Sequence, residues 1–304
     1  MYVQHPDLDV VIVTYNSAPV IGGLLDSLPA ALGGLSAGVV VVDNGSADGT
    51  ADLLAQRDDC RVVRSANVGY AGGINRGVRE AGQAEAILIL NPDVRLTPGS
   101  VPPMLETLHS PGTGLVVPQL RSPSGAVEPS LRRTPTVLRA LGLSATGAAA
   151  LSEHVHVTDA DSYARPHPVD WATGAVVLMS RACFDRLGGW DESFFLYSEE
   201  TDVCLRAGDA GLVTRYEPRA VAVHIGGSSG RTELTHAMQV VNRVRLYRRR
   251  NRPLGSWLYY GVIIAGELSH AARGRRQSRF AVAALLRPSL RPAQLGCSDR
   301  LLPR

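Results

Sequence analysis

The stretch Asp9-Val10-Val11-Ile12-Val13-Thr14, closed by Tyr15-Asn16-Ser17, decides the fold of this chain. Its apolar residues run without alternation, the pattern of a strand buried on both faces of a parallel sheet. The same pattern returns twice. Gly38 to Val42 ends in Asp43-Asn44-Gly45-Ser46, and Ala86 to Leu90 ends in Asn91-Pro92-Asp93. Helical spacing predicts helices over 20–28, over 47–56 with Ser46 as cap, and over 71–81, and a short strand falls at 61–64. Strands alternating with helices imply a doubly wound α/β sheet with right-handed crossovers. Ligands of such sheets bind beyond the carboxyl ends of the strands. Turn chemistry alone accounts for one polar strand end. Three ends carrying Asp or Asn point instead to a nucleotide site.

Farther along, residues 121–168 are rich in Pro, Ser, Gly and Ala, which predicts loop and short helix, a candidate flap over the site. A strand is expected over 169–179, helices over 181–187 and 201–209, and two strands over 212–216 and 220–224. From about Asn242 the chain reads as helical and basic. No internal repeat is visible.

Composition narrows the class. The chain has 304 residues, 45% hydrophobic and 19% charged, which fits a globular protein and excludes disorder. No apolar run reaches the roughly eighteen residues of a spanning helix. Met1 to Asp9 lacks the cationic start and apolar stretch of a signal peptide, and Cys60, Cys183, Cys204 and Cys297 form no metal spacing. A reduced, cytoplasmic setting is expected. All 31 basic residues are arginine, and the net charge of +3 is unevenly spread. Residues 243–304 carry +12 and residues 1–242 carry −9. The basic segment holds Arg243, Arg245 and Arg248 to Arg250 ahead of Trp257-Leu258-Tyr259-Tyr260-Gly261-Val262, with Arg273, Arg275, Arg276 and Arg279 after it. That arrangement suits a helix lying on an anionic membrane. A helix packed on the domain with a solvated basic face explains it nearly as well. Nucleic acid is not expected, since no binding motif is present.

Several residues bear chemistry. The glycine-rich stretch Asn67 to Gly77 follows a strand and lets backbone approach a phosphate. It departs from GxGxxG, because Gly69 is followed by Tyr70-Ala71, which disfavours a dinucleotide oxidoreductase. Asp93 suits either a carboxylate that helps hold a divalent cation on a diphosphate or, as the residues alone favour, an Asx turn beside Pro92. Phe194, Phe195 and Leu196 precede Glu199, Glu200 and Asp202, acids that open a helix; a carboxylate beside apolar rings and other acids gains proton affinity and can act as a base, and an acidic first turn on a surface helix explains Glu199 and Asp202 equally well. His224 ends an apolar strand and is either a metal ligand or structural.

Together these residues resemble the family 2 glycosyltransferases of GT-A fold, in particular the bacterial rhamnosyltransferase-like branch. The likeness runs from about Val10 to His224 through Thr14-Tyr15-Asn16, Asp43-Asn44-Gly45-Ser46, Asn67 to Gly77, Asn91-Pro92-Asp93, Trp171-Ala172-Thr173-Gly174, Gly189 to Phe195 and Glu199-Glu200-Thr201-Asp202. It implies a mostly parallel, Rossmann-like sheet flanked by helices, with a basic helical C-terminal extension. It also implies inverting transfer of a sugar, rhamnose from dTDP-rhamnose, from a nucleotide diphosphate to a hydroxyl of a cell-envelope or lipid-linked glycan, at the inner face of the membrane. By resemblance, Thr14, Tyr15, Asn16 and Asp43 hold base and ribose, and Asn67, Gly72, Asn75 and Asn91 line the donor pocket. Asp93, with His224, holds Mg2+ or Mn2+. Glu200 takes the position of the catalytic base, with Asp191 and Glu199 in reserve, and Trp171 and Gly174 lie on the acceptor side. The implied division is a glycosyltransferase domain over 1–240 (1–118 for the nucleotide sugar, 119–240 for acceptor and catalysis) and an extension over 241–304. A sugar nucleotidyltransferase would need a glycine- and arginine-rich loop after the first strand, where Tyr15-Asn16-Ser17 stands. A catalytically silent glycan-binding relative is the non-enzyme alternative.

Overall fold

The structure, a computed structural model, describes residues 6–141, 152–157, 160–226 and 232–296. Its strands are β1 (Leu8–Thr14), β2 (Ala37–Asp43), β3 (Arg61–Arg64), β4 (Ala86–Leu90), β5 (Val94–Leu96), β6 (Thr113–Arg121), β7 (Leu131–Arg132), β8 (His167–Val169), β9 (Trp171–Ala172), β10 (Val176–Ser180) and β11 (Val213–His224). Its helices are α1 (Ala18–Leu32), α2 (Thr50–Leu54), α3 (Gly69–Glu80), α4 (Val101–Leu108), α5 (Val137–Ala140), α6 (Ala160–Ala164), α7 (Arg181–Leu187), α8 (Glu199–Asp209), α9 (Glu233–Arg250), α10 (Pro253–Ala272) and α11 (Arg276–Leu286).

Every residue of β1 is buried, as its unbroken apolar run requires. Leu8, Val10 and Ile12 face one core with Ile21, Leu24 and Leu25 of α1. Val11 and Val13 face the other with Ala71, Ile74 and Val78 of α3. Helices therefore cover both sides. Among the described residues the main sheet has nine strands in the order β3-β2-β1-β4-β10-β6-β11-β5, with β8 on β11. The half from β3 to β4 is parallel throughout. β10 then enters antiparallel, so its start at Val176 lies beside the end of β4 at Leu90. That reversal brings the Asn91-Pro92-Asp93 end and the Trp171 to Gly174 segment to one edge of the sheet.

The structure corrects several expectations. The helix expected over 47–56 is only Thr50–Leu54, with Gly49 at its cap. Ser46 cannot cap it, because its hydroxyl accepts from the Asn16 N–H (2.9 Å) and its own N–H donates to Asp43 (3.4 Å). The strand expected over 169–179 breaks into β8, β9 and β10, because β9 leaves the main sheet to pair with β7. The two late strands are one, β11, with its register shifted between Glu217 and Val221 around Pro218, which has no N–H to give. In the proline-rich segment, α5, α6, β7 and β8 are ordered, and residues 142–151 and 158–159 of the expected flap lie outside the described residues. The helical region expected from about Asn242 begins at Glu233, and Asn242 sits inside α9. Helices α9, α10 and α11 share a core of Val241, Val244, Tyr259, Ile263, Ala281 and Leu285, against which Phe195, Leu196 and Tyr197 also pack.

Candidate active site

The ends of β1 and β2 form one wall. Thr14 and Asp43 are buried, and the Thr14 hydroxyl donates to Asp43 Oδ1 (3.2 Å). Asn16 Oδ1 accepts from the Ala47 N–H (2.8 Å), tying the two loops together, while Tyr15 stands 53% exposed above them. A buried carboxylate beside an exposed ring suits a ribose hydroxyl and a stacked base. Asn67 Oδ1 accepts from the Gly69 N–H (3.1 Å) and starts α3. Gly69 has φ +80°, and a Cβ there would lie 2.4 Å from the carbonyl oxygen of Phe195, so only glycine fits. Gly72 is buried against Val68, and the Asn75 amide is committed to the Trp190 backbone and to Glu192 (2.8–2.9 Å). Asn75 thus ties α3 to the 190–192 segment instead of facing open space.

Asp93, Glu199 and Glu200 lie within electrostatic reach of Tyr70, and His224 stands beside Asp93. His224 Nε2 lies 3.7 Å from Asp93 Oδ1, and its Nδ1 lies 3.2 Å from Glu128 Oε2. The Asn91 N–H donates to Ala175 O (2.9 Å), fixing the Asn91 to Asp93 turn beside Gly174. The Tyr70 hydroxyl donates to Gly174 O (3.4 Å). Burial, then the charges of Glu199, Glu200 and Asp93, push its pKa well above the usual phenol value. Glu199 is buried and Glu200 is half-buried; Oε2 of each has no hydrogen-bond partner among the described residues. Burial first, then the charge of Glu200, push the Glu199 pKa well up. Burial also raises Glu200, and its own backbone N–H and the Arg132 guanidinium pull it back only in part. A Cβ on Gly174 would lie 3.0 Å from Glu200 Cβ, so that glycine leaves room for the acid. Trp171 borders the cleft, its Nε1 donating to Arg133 O (3.0 Å) with Arg132 over its ring.

Asp191 sits apart. It accepts from the Ser193 N–H (2.9 Å) and pairs with Arg249 (2.8 Å). Burial opposes ionisation, but those bonds prevail and hold its pKa below the usual carboxylate range, which makes it a weak base. Between it and the acid pair the backbone is strained. Phe195, Tyr197 and Ser198 have φ of +59°, +69° and +74°, conformations that cost about 1–3 kcal/mol each and gather at functional sites.

The donor set fits a divalent cation in part. Among the described residues, no group of three or more His, Cys, Asp and Glu surrounds a common point. Asp93 and His224 offer a carboxylate and an imidazole that face one another beyond hydrogen-bond range. With Nδ1 turned to Glu128, the His224 ring presents Nε2 to Asp93 Oδ1, an arrangement that a cation between them satisfies. Two protein ligands leave positions for diphosphate and water, as hard cations prefer. Tyr70, Glu128 and Arg132 carry no local sequence signal for this place. Glu128 lies in the proline-rich segment and meets His224 only through the pairing of β6 with β11.

Comparison with known proteins bears on the family and the fold. Residues 9–160 match the family described as Glycosyl transferase family 2. The chain is 32% identical over 249 residues to the N-acetylglucosaminyl-diphospho-decaprenol L-rhamnosyltransferase of Mycobacterium tuberculosis, covering 75% of this chain and 80% of that one. It is 29% identical over 205 residues to the low-salt glycan biosynthesis hexosyltransferase Agl10 of Haloferax volcanii (66% and 61% covered). In fold it is similar to the mannosyltransferase PcManGT of Pyrobaculum calidifontis in complex with GDP-Man and Mn2+ (TM-score 0.56, 18% identity, 96% and 83% covered). It also resembles GalNAc-T7 with UDP, GalNAc and Mn2+ (TM-score 0.56, 14% identity, 80% and 48% covered). With a GT-A fold, the strand-end site and these relatives, the chain belongs to glycosyl transferase family 2 and is a glycosyltransferase.

Proposed function

We propose that this glycosyltransferase transfers rhamnose from dTDP-rhamnose, with inversion, to a hydroxyl of a lipid-linked or envelope glycan at the inner face of the membrane. Support for the chemistry comes from Tyr70, whose phenol feels the charges of Glu199, Glu200 and Asp93, with His224 standing 3.7 Å from that aspartate. Thr14, Tyr15, Asn16 and Asp43 hold the nucleoside, and Asn67, Gly72, Asn75 and Asn91 shape the donor side directly or through α3. Glu200 accepts the proton of the acceptor hydroxyl at Oε2 as that oxygen attacks the anomeric carbon opposite the diphosphate. Burial raises its pKa, which strengthens it as a base. Mg2+ or Mn2+, when held by Asp93 and His224, neutralises charge developing on the leaving diphosphate. Trp171 and Gly174 border the acceptor. The residues divide as 1–118 for the donor, 119–240 for acceptor and catalysis, and 241–304 as extension.

Support for the acceptor class comes from the mycobacterial relative, whose name specifies a lipid diphosphate carrier. Support for the membrane comes from α10. Its outward residues Leu254, Trp257, Leu258 and Leu268 are exposed, while Tyr259, Tyr260 and Ile263 are buried on the opposite side. Exposed arginines flank both ends, Arg250 and Arg252 before it and Arg273, Arg275 and Arg276 after it. Among the described residues no helix is long and apolar enough to cross a membrane, so the exposed ridge suits a helix lying in the interface.

A thermal-shift screen of nucleotide diphosphate sugars with Mn2+, followed by transfer assays, tests the reading. Stabilisation by dTDP-rhamnose supports the donor. Glu200→Gln should keep that stabilisation and lose about 10²–10⁴-fold in kcat. Undiminished kcat in this variant assigns the base elsewhere.

A further inference from the structure

We propose that Asn242 and Arg245 of α9 are positioning residues, which clamp the strained turn at 194–198 and thereby aim Glu199 and Glu200 into the cleft. The consequence for catalysis rests on the reading of Glu200 as the base; the clamp itself does not.

The acids open α8, and the residues just before them carry the unusual backbone. Phe195 has φ +59° and ψ −60°, at the centre of a three-residue turn closed by the Leu196 N–H on Phe194 O (2.6 Å). Tyr197 and Ser198 follow at φ +69° and +74°. None of the three is glycine, so the turn relaxes unless its surroundings hold it. On one side the Tyr70 N–H, at the start of α3, donates to Phe195 O (2.6 Å). On the other, Asn242 Nδ2 donates to the carbonyls of Phe194 (2.6 Å), Leu196 (2.9 Å) and Tyr197 (3.1 Å). Arg245 fixes which way that amide points. Its Nη1 donates to Asn242 Oδ1 (2.9 Å) and to Ser193 O (3.0 Å), and its guanidinium lies over the Phe194 ring. Asn242 is 0% exposed and Arg245 2%.

An amide is the group this place calls for. A carboxylate would turn oxygen toward three carbonyl oxygens, and an apolar side chain would leave those carbonyls without their donor. The helical extension is thereby continuous with the catalytic turn, and the same turn touches α3, which carries the donor side. Small errors here reach the reacting atoms, since misplacement of a base by about 1 Å costs on the order of a hundredfold in rate.

The test compares Asn242→Ala with Met104→Ala, which removes buried volume from α4 in a core that the turn does not join, in the full-length protein. Amide hydrogen exchange is read over 194–200 and over β1, together with melting temperature, nucleotide affinity and kcat. Expected for Asn242→Ala is exchange over 194–200 faster by about tenfold or more with β1 unchanged. Its kcat should fall by about tenfold or more while nucleotide affinity stays within about twofold. Met104→Ala, at a similar loss of melting temperature, should change neither. Unchanged exchange over 194–200 in Asn242→Ala, or equal effects in both variants, overturns the clamp. Asn242→Ser, which keeps one donor, replaces the alanine variant if that one is insoluble. If the wild type transfers no sugar, the reading of Glu200 fails, while the exchange comparison still decides the clamp.

Discussion

Glu199 and Glu200 are adjacent in sequence yet differ in access. Glu199 is buried and its carboxyl is hard to ionise, first through burial and then through Glu200. A group with a raised folded-state pKa supports the fold below its unfolded value and loses that support as pH rises through the folded value. Glu199→Gln should therefore melt higher than wild type at pH 8, and the gap should close as pH falls toward the ordinary carboxylate range. Thermal denaturation between pH 4 and 8 measures this, and a gap independent of pH would mean that Glu199 ionises freely. Glu128 makes a different point. It acts through the His224 ring, so Glu128→Gln should weaken Mn2+ binding by about 10–100-fold, read by calorimetry without any sugar donor. Unchanged affinity would remove His224 from the cation's surroundings. Asp93, His224 and the acid pair were legible in the sequence because each ends a strand or opens a helix. Glu128, Tyr70 and Asn242 were not, because their partners lie 96, 104 and about 46 positions away, and only the folded chain supplies them.

At the level of elements, the sequence foretold the parallel half of the sheet well, since β1, β2 and β4 are continuous apolar runs with buried faces on both sides. It foretold the second half less well. The run from Val169 to Met179 looks like one strand, but its middle pairs with β7 and crosses Glu200 at Gly174. Apolar periodicity records burial and not the partner, so it cannot reveal where a strand changes sheets. Gly174 gives that crossing a measurable consequence. Gly174→Ala should displace the Glu200 side chain and lower kcat by about tenfold or more, with nucleotide affinity retained. Wild-type kcat would show that the cleft accommodates the methyl group without moving the acid.

Across the whole molecule, the acidic body and the basic extension proved to be one packed unit with an apolar ridge outside it. Removing the extension would uncover the core shared by α9, α10 and α11, so surface substitution is the cleaner probe of membrane contact. Replacing Leu254, Trp257 and Leu258 by Gln touches only exposed positions and should leave melting nearly unchanged. Each apolar side chain moved from water into lipid is worth about 1.5–3 kcal/mol, so affinity for anionic vesicles should drop by about a hundredfold or more in co-sedimentation. Equal sedimentation of both proteins would rule out α10 as the contact.

The hold of Asn242 on the carbonyls of Phe194, Leu196 and Tyr197 also bears on synthesis of the chain. The turn that leads into the acid pair is translated before the helix that secures it, Phe194 by 48 positions. On the ribosome, where N-terminal parts fold first, the nucleotide wall can assemble while the turn still lacks its downstream anchor. Nascent and prematurely terminated chains that lack α9 would then bind sugar nucleotide without turning it over, and the enzyme would become competent only once α9 has arrived.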